Sequence, residues 1–459
     1  MANILETLDS FFSHYDNKNI AVAFSGGVDS QVLLHGLFTL KKQHKLQQNI
    51  QVYHVNHGLS DNAYNWQKLA VQQCQVLNLH LTICSVNIKV EARQSLEEQA
   101  RKARYKALQS ACQPDDILVT GHHSDDQAET FLLALKRGSG IKGLSSMKVV
   151  GQLGEQLLAR PLLAHSRADI EQYAKQNQLT WIDDESNLDI NYDRNFLRHH
   201  ILPMLQQRWP SINDTIARSA QHCAEAQLLA DELAQHDLQL AQVDKLILSV
   251  DVLSQLSTAR FNNVIRYFLQ QHQVLMPSTK QLQQIHNQLK ASIDKNPVVQ
   301  LAHHCVRRFQ GALHLTAIFS DVSQWQQLIE WPVNNNKKHT VNLLLPDNIG
   351  QLALTNLWDD KLTDIDPPDW SASIIAPKAE QQISVRFSHE NPRCLPAYRQ
   401  HSRSVKKVLQ ELNIPIWQRR RLPYIFYNDE LVAVLGFFVC KPYLVDDQHT
   451  AIKVCWKMP

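Results

Sequence analysis

Short apolar runs and longer amphipathic stretches alternate through the first half of the chain. Asn19–Phe24 (NIAVAF), Ile50–Val55 (IQVYHV), Leu79–Val86 (LHLTICSV) and Asp116–Gly121 (DILVTG) have the length and composition of strands. Between them, Asp29–Leu40, Asn62–Leu77, Ser95–Cys112 and Asp125–Lys136 carry apolar residues at helical spacing. Strands alternating with helices of this length predict βαβ units, and hence a Rossmann-like α/β domain with a parallel sheet over residues 1–215. Ligands of such sheets sit beyond the carboxyl ends of the strands. The loops that follow strands are therefore where chemistry is expected.

From about Ser211 the pattern changes. Residues 216–330 are rich in Gln, Leu and Ala with a regular apolar stripe (AEAQLLADELAQ), which predicts a mostly helical second domain. Residues 331–380, with Pro332, Pro346 and the pair Pro367-Pro368, read as linker and short strands. Residues 381–459 read as a small α+β unit, and no internal repeat is evident.

Composition then limits the classes. At 459 residues the chain has room for roughly three domains of about 150 residues each. Its eight cysteines form no CxxC pair, which argues against a disulfide scaffold, a zinc ribbon or an iron–sulfur site and for buried reduced thiols. The amino-terminal MANILETLDSFF lacks a signal peptide's basic flank, and the longest apolar run, Leu431–Cys440, is half the span of about 20 residues that a membrane helix requires. A soluble, cytoplasmic protein with no membrane association is expected. The formal charge of +2 is an average that conceals a basic end: residues 381–459 hold 12 Lys and Arg against 6 Asp and Glu. Arg399, Arg403, Lys406, Lys407, Arg419, Arg420 and Arg421 dominate that end. Such a cluster is either a solvated face or a surface for nucleic-acid backbone.

Directly after the first strand comes Ser25-Gly26-Gly27-Val28-Asp29-Ser30. Two glycines at a strand-to-helix turn let backbone amides approach a phosphate at a helix N-terminus. The Gly-Lys-Ser/Thr ending of a Walker A loop is absent. A carboxylate beside phosphates needs a mediating cation, so Asp29 implies Mg²⁺. The plainer reading is a turn with Asp29 as a helix cap. SGGVDS after a buried first strand resembles the ATP-pyrophosphatase (PP-loop) family, whose fold is that of adenine nucleotide alpha hydrolases. Its members split ATP between the α and β phosphates and adenylate a substrate.

Later loops narrow the field. His54-Val55-Asn56-His57-Gly58-Leu59 follows the second strand, and Gly121-His122-His123-Ser124-Asp125-Asp126-Gln127-Ala128-Glu129-Thr130 follows the fourth. Asp126 and Glu129 are three apart and share a helix face, which suits an ammonium group; with His122 and His123 beside them, a metal cluster and a plain helix cap stay open. Then come LKRGSGIKGL (135–144), RPLL (160–163), DESN (184–187) and DRNFLR (193–198). Arg194 and Arg198 leave one helix face, where local acids such as Asp189 or Asp193 could pair with them. Arg101 and Arg104 likewise share a face, suited to an anion or to salt bridges with Glu97 and Glu98.

Together these segments, with RSVKKVLQE (403–411) and IPIWQRRRLP (414–423), resemble the tRNA(Ile)-lysidine synthase branch of the PP-loop family. The likeness is dense over about 19–205 and recurs near the end. Ser60 departs from it, standing where many relatives carry Arg. The resemblance implies that ATP adenylates C2 of the wobble cytidine of an isoleucine tRNA with a CAU anticodon. Free L-lysine then displaces AMP, and the lysidine so formed reads AUA instead of AUG. It implies that Ser25–Ser30 hold ATP with Asp29 on Mg²⁺, that Asp126 and Glu129 face lysine, and that His122 is a candidate base. Arg101, Arg104 and Arg194 would meet the adenylate or the cytidine. Arg137, Lys142, Arg198, Arg403, Lys406, Lys407, Arg419, Arg420 and Arg421 would meet tRNA, as would the helical middle domain, and a homodimer is open to it. The rival readings are a tRNA-thiolating PP-loop enzyme, which the absence of cysteine pairs opposes, and a non-catalytic tRNA-binding relative, which the intact SGGVDS opposes. An amidotransferase would need a glutaminase domain that is not evident.

Overall fold

The computed structural model describes residues 3–58, 62–86, 96–182, 185–291, 296–332, 339–356, 368–446 and 450–459. Leu59, Ser60, Asp184, Pro367 and the side chains of Glu97 and Ser186 lie outside the described residues. The chain divides into two compact units, Met1–Leu233 and Ala234–Pro459. This division falls within the helix Ile212–Ala241.

The first unit opens with α1 (Ile4–Phe12), β1 (Ile20–Ala23), α2 (Val28–Lys42), β2 (Ile50–Asn56), α3 (Ala63–Val76) and β3 (His80–Ser85). It continues with α4 (Leu96–Ala111), β4 (Ile117–Val119), α5 (Ser124–Lys136), α6 (Ile141–Leu144), β5 (Val150–Leu153), β6 (Gln156–Ala159) and α7 (Arg167–Gln176). The strands lie in the order β3-β2-β1-β4-β6-β5, all parallel except β5, which runs antiparallel to β6 at the edge. Successive residues of β1 point to opposite faces. Ile20 and Val22 join α1, α2 and α7 in one core with Leu8, Leu33, Leu37 and Ile170. Ala21 instead joins Tyr105 and Leu108 of α4. Burial on both faces is why these strands read as continuous apolar runs.

Strand order reverses beside β1: the chain moves outward through β2 and β3, then returns to place β4 on the other flank. The crevice beyond the carboxyl ends of β1 and β4 is the switch point where such sheets bind ligands. Residues 24–28 and 120–124 both open onto it.

In the second unit, helices Val250–Ser254, Thr258–Gln271 and Thr279–Gln288 pack against a five-stranded antiparallel sheet built from residues 242–249 and 298–317. That sheet adds to the helical reading of the middle region; its strands are three to six residues long, too short for a local alternation to stand out. The expected linker also differs. Thr340–Leu344, Gln351–Asn356 and Trp370–Ile375 are strands as anticipated, but they form one antiparallel sheet with Ala451–Lys457 at the far end of the chain. A second sheet pairs Gln326–Ile329 with Ile383–Arg386 and the strands that follow. The strands described within 331–380 are thus part of the carboxyl-terminal fold, through pairings that no local pattern announces. No helix among the described residues is long and apolar enough to cross a membrane.

Candidate active site

The loop after β1 is held in shape by its own serines. Ser30 Oγ accepts from the Gly26 amide at 3.1 Å and donates to the Gly27 carbonyl at 2.9 Å, while Ser25 Oγ lies 3.2 Å from it. Gly26 has φ +86°, a conformation that side chains resist, and a Cβ there would strike the Ile182 side chain at 2.6 Å. Gly27 caps α2 and leaves the first amides of the helix pointing into the crevice.

The loop after β4 presses against this turn. A Cβ on Gly121 would lie 2.7 Å from the Asp29 carbonyl oxygen, so only glycine allows the two loops to approach this closely. His123 then caps α5, and Asp126 Oδ2 accepts from the His123 amide at 3.1 Å, a reciprocal cap that fixes the first turn. Cap and charge roles coexist here.

The two acids of α5 are brought together as expected, but their partners are not the local ones. Arg198 Nε donates to Glu129 Oε1 at 2.7 Å, and its Nη2 reaches Glu129 Oε2 at 3.1 Å and Asp126 Oδ1 at 3.2 Å. Arg194 Nε stands 3.3 Å from Glu129 Oε2 and its Nη2 donates to Thr130 Oγ1 at 3.4 Å. Asp193 is engaged by Lys136 at 2.6 Å and Asp189 by Asn191. Arg194 lies in the short helix Asp193–Phe196 and Arg198 in the π-helical turn Leu197–Ile201 that continues it. Arg198, expected to meet tRNA, therefore sits at the acid pair.

Asp29 faces cations too. Arg167 Nη1 lies 3.0 and 3.1 Å from its two carboxylate oxygens, and His123 Nε2 is 3.6 Å away. Arg167 also donates through Nε to Glu171 and through its amide to Asp125. It is a residue of this cluster that sequence reasoning missed. The Ser166–Asp169 capping box in HSRADI marks the start of α7, but nothing local shows that the arginine reaches a loop 138 residues earlier. Asp125 and His123 are part of the same cluster.

Burial and charge push these groups apart. Burial raises the Asp29 carboxyl, although His123 and Arg167 oppose it. Burial likewise raises Glu129 against Arg198 and Arg194. For Asp126 burial is outweighed by His123, His122, the His123 amide and Arg198, and the carboxyl falls below its usual range. His123 is raised because Asp126, Asp125 and Asp29 overcome its burial. His122 is pushed down to about 3 by burial, helped by Arg160, Arg104 and Arg101, and its Nδ1 lies 2.7 Å from Thr120 Oγ1. A neutral imidazole that acidic is a poor proton acceptor at neutral pH, which counts against His122 as the base.

Arg101 and Arg104 flank Tyr105, each guanidinium carbon 5.4 Å from the ring centroid, while Glu98 pairs with Lys102 at 2.7 Å. Arg101 also lines a cleft of about 590 Å³ with Thr130, Met147, Gly151 and Arg160. Arg137 and Lys142, at the end of α5 and in α6, are exposed. In the second unit Arg403, Lys406, Lys407 and Arg420 are exposed. Arg419 donates to the Ile414 carbonyl, Arg421 pairs with Asp347 and Arg399 with Glu411. The three arginines 419–421 are therefore not one solvated row.

Residues 1–205 match the PP-loop domain family, 248–314 the TilS substrate binding domain and 383–456 the TilS substrate C-terminal domain. A tRNA(Ile)-lysidine synthase of Coxiella burnetii is 40% identical over 428 residues, covering 93% of this chain and 90% of that protein. One from Actinobacillus pleuropneumoniae serotype 3 is 41% identical over 442 residues, covering 94% and 99%. The chain belongs to the tRNA(Ile)-lysidine synthase family. All the site residues described above, from Ser25 to Arg198, fall within the family's PP-loop module. A solved U34-tRNA thiolase from Methanococcus maripaludis is similar at TM-score 0.41 and 19% identity over 48% of this chain and 78% of that one.

Proposed function

We propose that this chain is an ATP-dependent carbon–nitrogen ligase that forms lysidine at the wobble cytidine of an isoleucine tRNA with a CAU anticodon, in the cytoplasm where tRNA, ATP and lysine meet. The C2 oxygen of the cytosine attacks the α-phosphate and pyrophosphate leaves. The side-chain nitrogen of lysine then bonds to C2, the C2–O bond breaks, and AMP departs.

One observation carries this reading: a glycine-rich phosphate loop and a buried carboxylate pair meet at a single switch point, neutralised by arginines that enter from two further segments, Arg167 from α7 and Arg198 from the turn Leu197–Ile201. The amides of the first turn of α2 suit the phosphates of ATP, and Ser25 and Ser30, which accept from the Gly27 and Gly26 amides, set that turn. Asp29, a hard oxygen donor already paired with a cation in this structure, fits Mg²⁺. The bound metal would neutralise charge developing on pyrophosphate. Arg101, Arg104 and Arg194 suit the adenylate or the cytidine.

Asp126, held ionised, and Glu129, whose pKa is raised, are an electrostatically divided pair. Asp126 suits the lysine ammonium, and Glu129 suits acceptance of the proton that the amine must lose before attack. Arg198 occupies the position an ammonium would take between the two acids, so lysine binding exchanges one cation for another. The exposed Arg137, Lys142, Arg403, Lys406, Lys407 and Arg420 suit RNA phosphates. The test is order of addition: pyrophosphate release from ATP requires the cytidine-containing tRNA, and equal release with lysine alone contradicts the reading.

A further inference from the structure

A groove of about 330 Å³ opens in the second unit, lined by Asn296, Arg307, Phe319, Asp321, Trp417, Arg420 and Arg421. Rings and guanidinium planes interleave along it. The Arg307 guanidinium sits 5.6 Å from the Trp417 ring centroid and 5.9 Å from that of Phe319, and Arg421 sits 4.4 Å from Phe319. Phe309 and His314 meet Trp417 edge-on at 5.7 and 5.3 Å.

The walls are fixed before any ligand arrives. Arg307 Nε donates to Thr316 Oγ1 at 3.0 Å, and Arg421 is anchored by the side chain and the carbonyl of Asp347. Arg420 is exposed at the rim. Rigid aromatic and guanidinium faces beside an exposed cation are what binds an unpaired base and its phosphate. The volume is at the low end for ligand sites, enough for one nucleotide and too small for a duplex. Asp321 is also in the lining, held ionised by Ser323, so the groove disfavours a polyphosphate and offers an acceptor to a base amino group.

We propose that this groove holds one unpaired nucleotide of the tRNA substrate, its base against Trp417 and Arg307 and its phosphate at Arg420. The inference rests on the reading of this chain as a tRNA-modifying enzyme and adds a second point of recognition, built from residues of the second unit.

The experiment is ultraviolet crosslinking of the full-length protein to a transcript of the CAU-anticodon isoleucine tRNA, with peptide mapping, alongside binding of the same transcript to variants. A crosslink at Trp417 or Phe319 to a nucleotide outside the paired stems is expected. Trp417→Ala weakens tRNA binding about tenfold, the loss of one stacked base, and Trp417→Phe less than about threefold. Arg420→Glu weakens binding and lowers the salt slope by about one. Absence of that crosslink, equal crosslinking to a fully paired RNA duplex, or equal binding losses for Trp417→Ala and Trp417→Phe would overturn the proposal. If Trp417→Ala does not fold, Arg420→Glu decides, and an unchanged affinity and slope overturn it. Lysidine formation by the unmodified protein is scored separately, so failure of the groove and failure of the functional reading are told apart.

Discussion

Arg198 grips Glu129 through two nitrogens, Nε to Oε1 at 2.7 Å and Nη2 to Oε2 at 3.1 Å, and the glutamate is fully buried beneath it. Removing the charge from Glu129 leaves Arg198 and Arg194 without their main counter-ion. Breaking a fully buried pair costs about 3–5 kcal/mol. With the Arg198 side chain one-third exposed, at 33%, about 2 kcal/mol is expected for Glu129→Gln in denaturant unfolding. Asp126→Ala should raise the lysine KM more than about tenfold and the ATP KM less than about threefold, because the anion it removes is the one proposed to face the amine. Equal effects on both constants would assign the pair to metal binding or structure.

Gly121→Ala places a methyl group 2.7 Å from the Asp29 carbonyl oxygen, a backbone atom that cannot swing aside. The first turn of α2 has to move, and an overpacking cost of about 1–3 kcal/mol is expected. Pyrophosphate release should fall more than about a hundredfold, since about 1 Å of misplacement can cost that much. A folded variant with unchanged ATP turnover would show that the two loops need not touch.

Arg167→Ala takes away the cation that both Asp29 oxygens face. The ATP KM should rise about tenfold, with the lysine KM little changed, and Arg167→Lys should recover only part because one ammonium does not reproduce the Asp29 and Glu171 contacts together. Steady-state kinetics with each substrate varied in turn checks the split.

The neighbouring histidines should respond to pH in opposite ways. His122 has its folded pKa pushed down to about 3, so protons favour the unfolded chain and this group's contribution to stability falls as pH drops from 6.5 toward 3. His123 has its folded pKa raised, so its contribution is fully present below 6.5 and is lost as pH rises through the folded value. Melting temperatures against pH for His122→Asn and His123→Asn should therefore change slope on opposite sides of pH 6.5. Parallel curves would contradict the assigned environments.

The βαβ order and the phosphate loop were legible because each rests on a local signal: apolar runs for β1 and β4, helical spacing for α2 and α5, and SGGVDS at a single turn. What the sequence left unread is tertiary. Arg198 and Glu129 are 69 residues apart and Arg167 and Asp29 are 138 apart, and no spacing rule links them. Trp370–Ile375 finds its partner in Ala451–Lys457, so a segment that reads as linker becomes the edge strand of a sheet. Arg421 reads as part of a cationic row, yet Asp347, 74 residues earlier, pairs with it. Its reversal would break that pair, so Lys406→Glu with Lys407→Glu is the sounder probe of the proposed RNA contact.

Incubation of the protein with the CAU-anticodon isoleucine tRNA, ATP and isotopically labelled lysine, followed by mass spectrometry of the wobble nucleoside, tests the central claim most directly. The labelled lysine should appear in covalent linkage to that cytidine, with AMP and pyrophosphate formed in equal amounts. An unmodified cytidine, or a thiolated one without label, would contradict it.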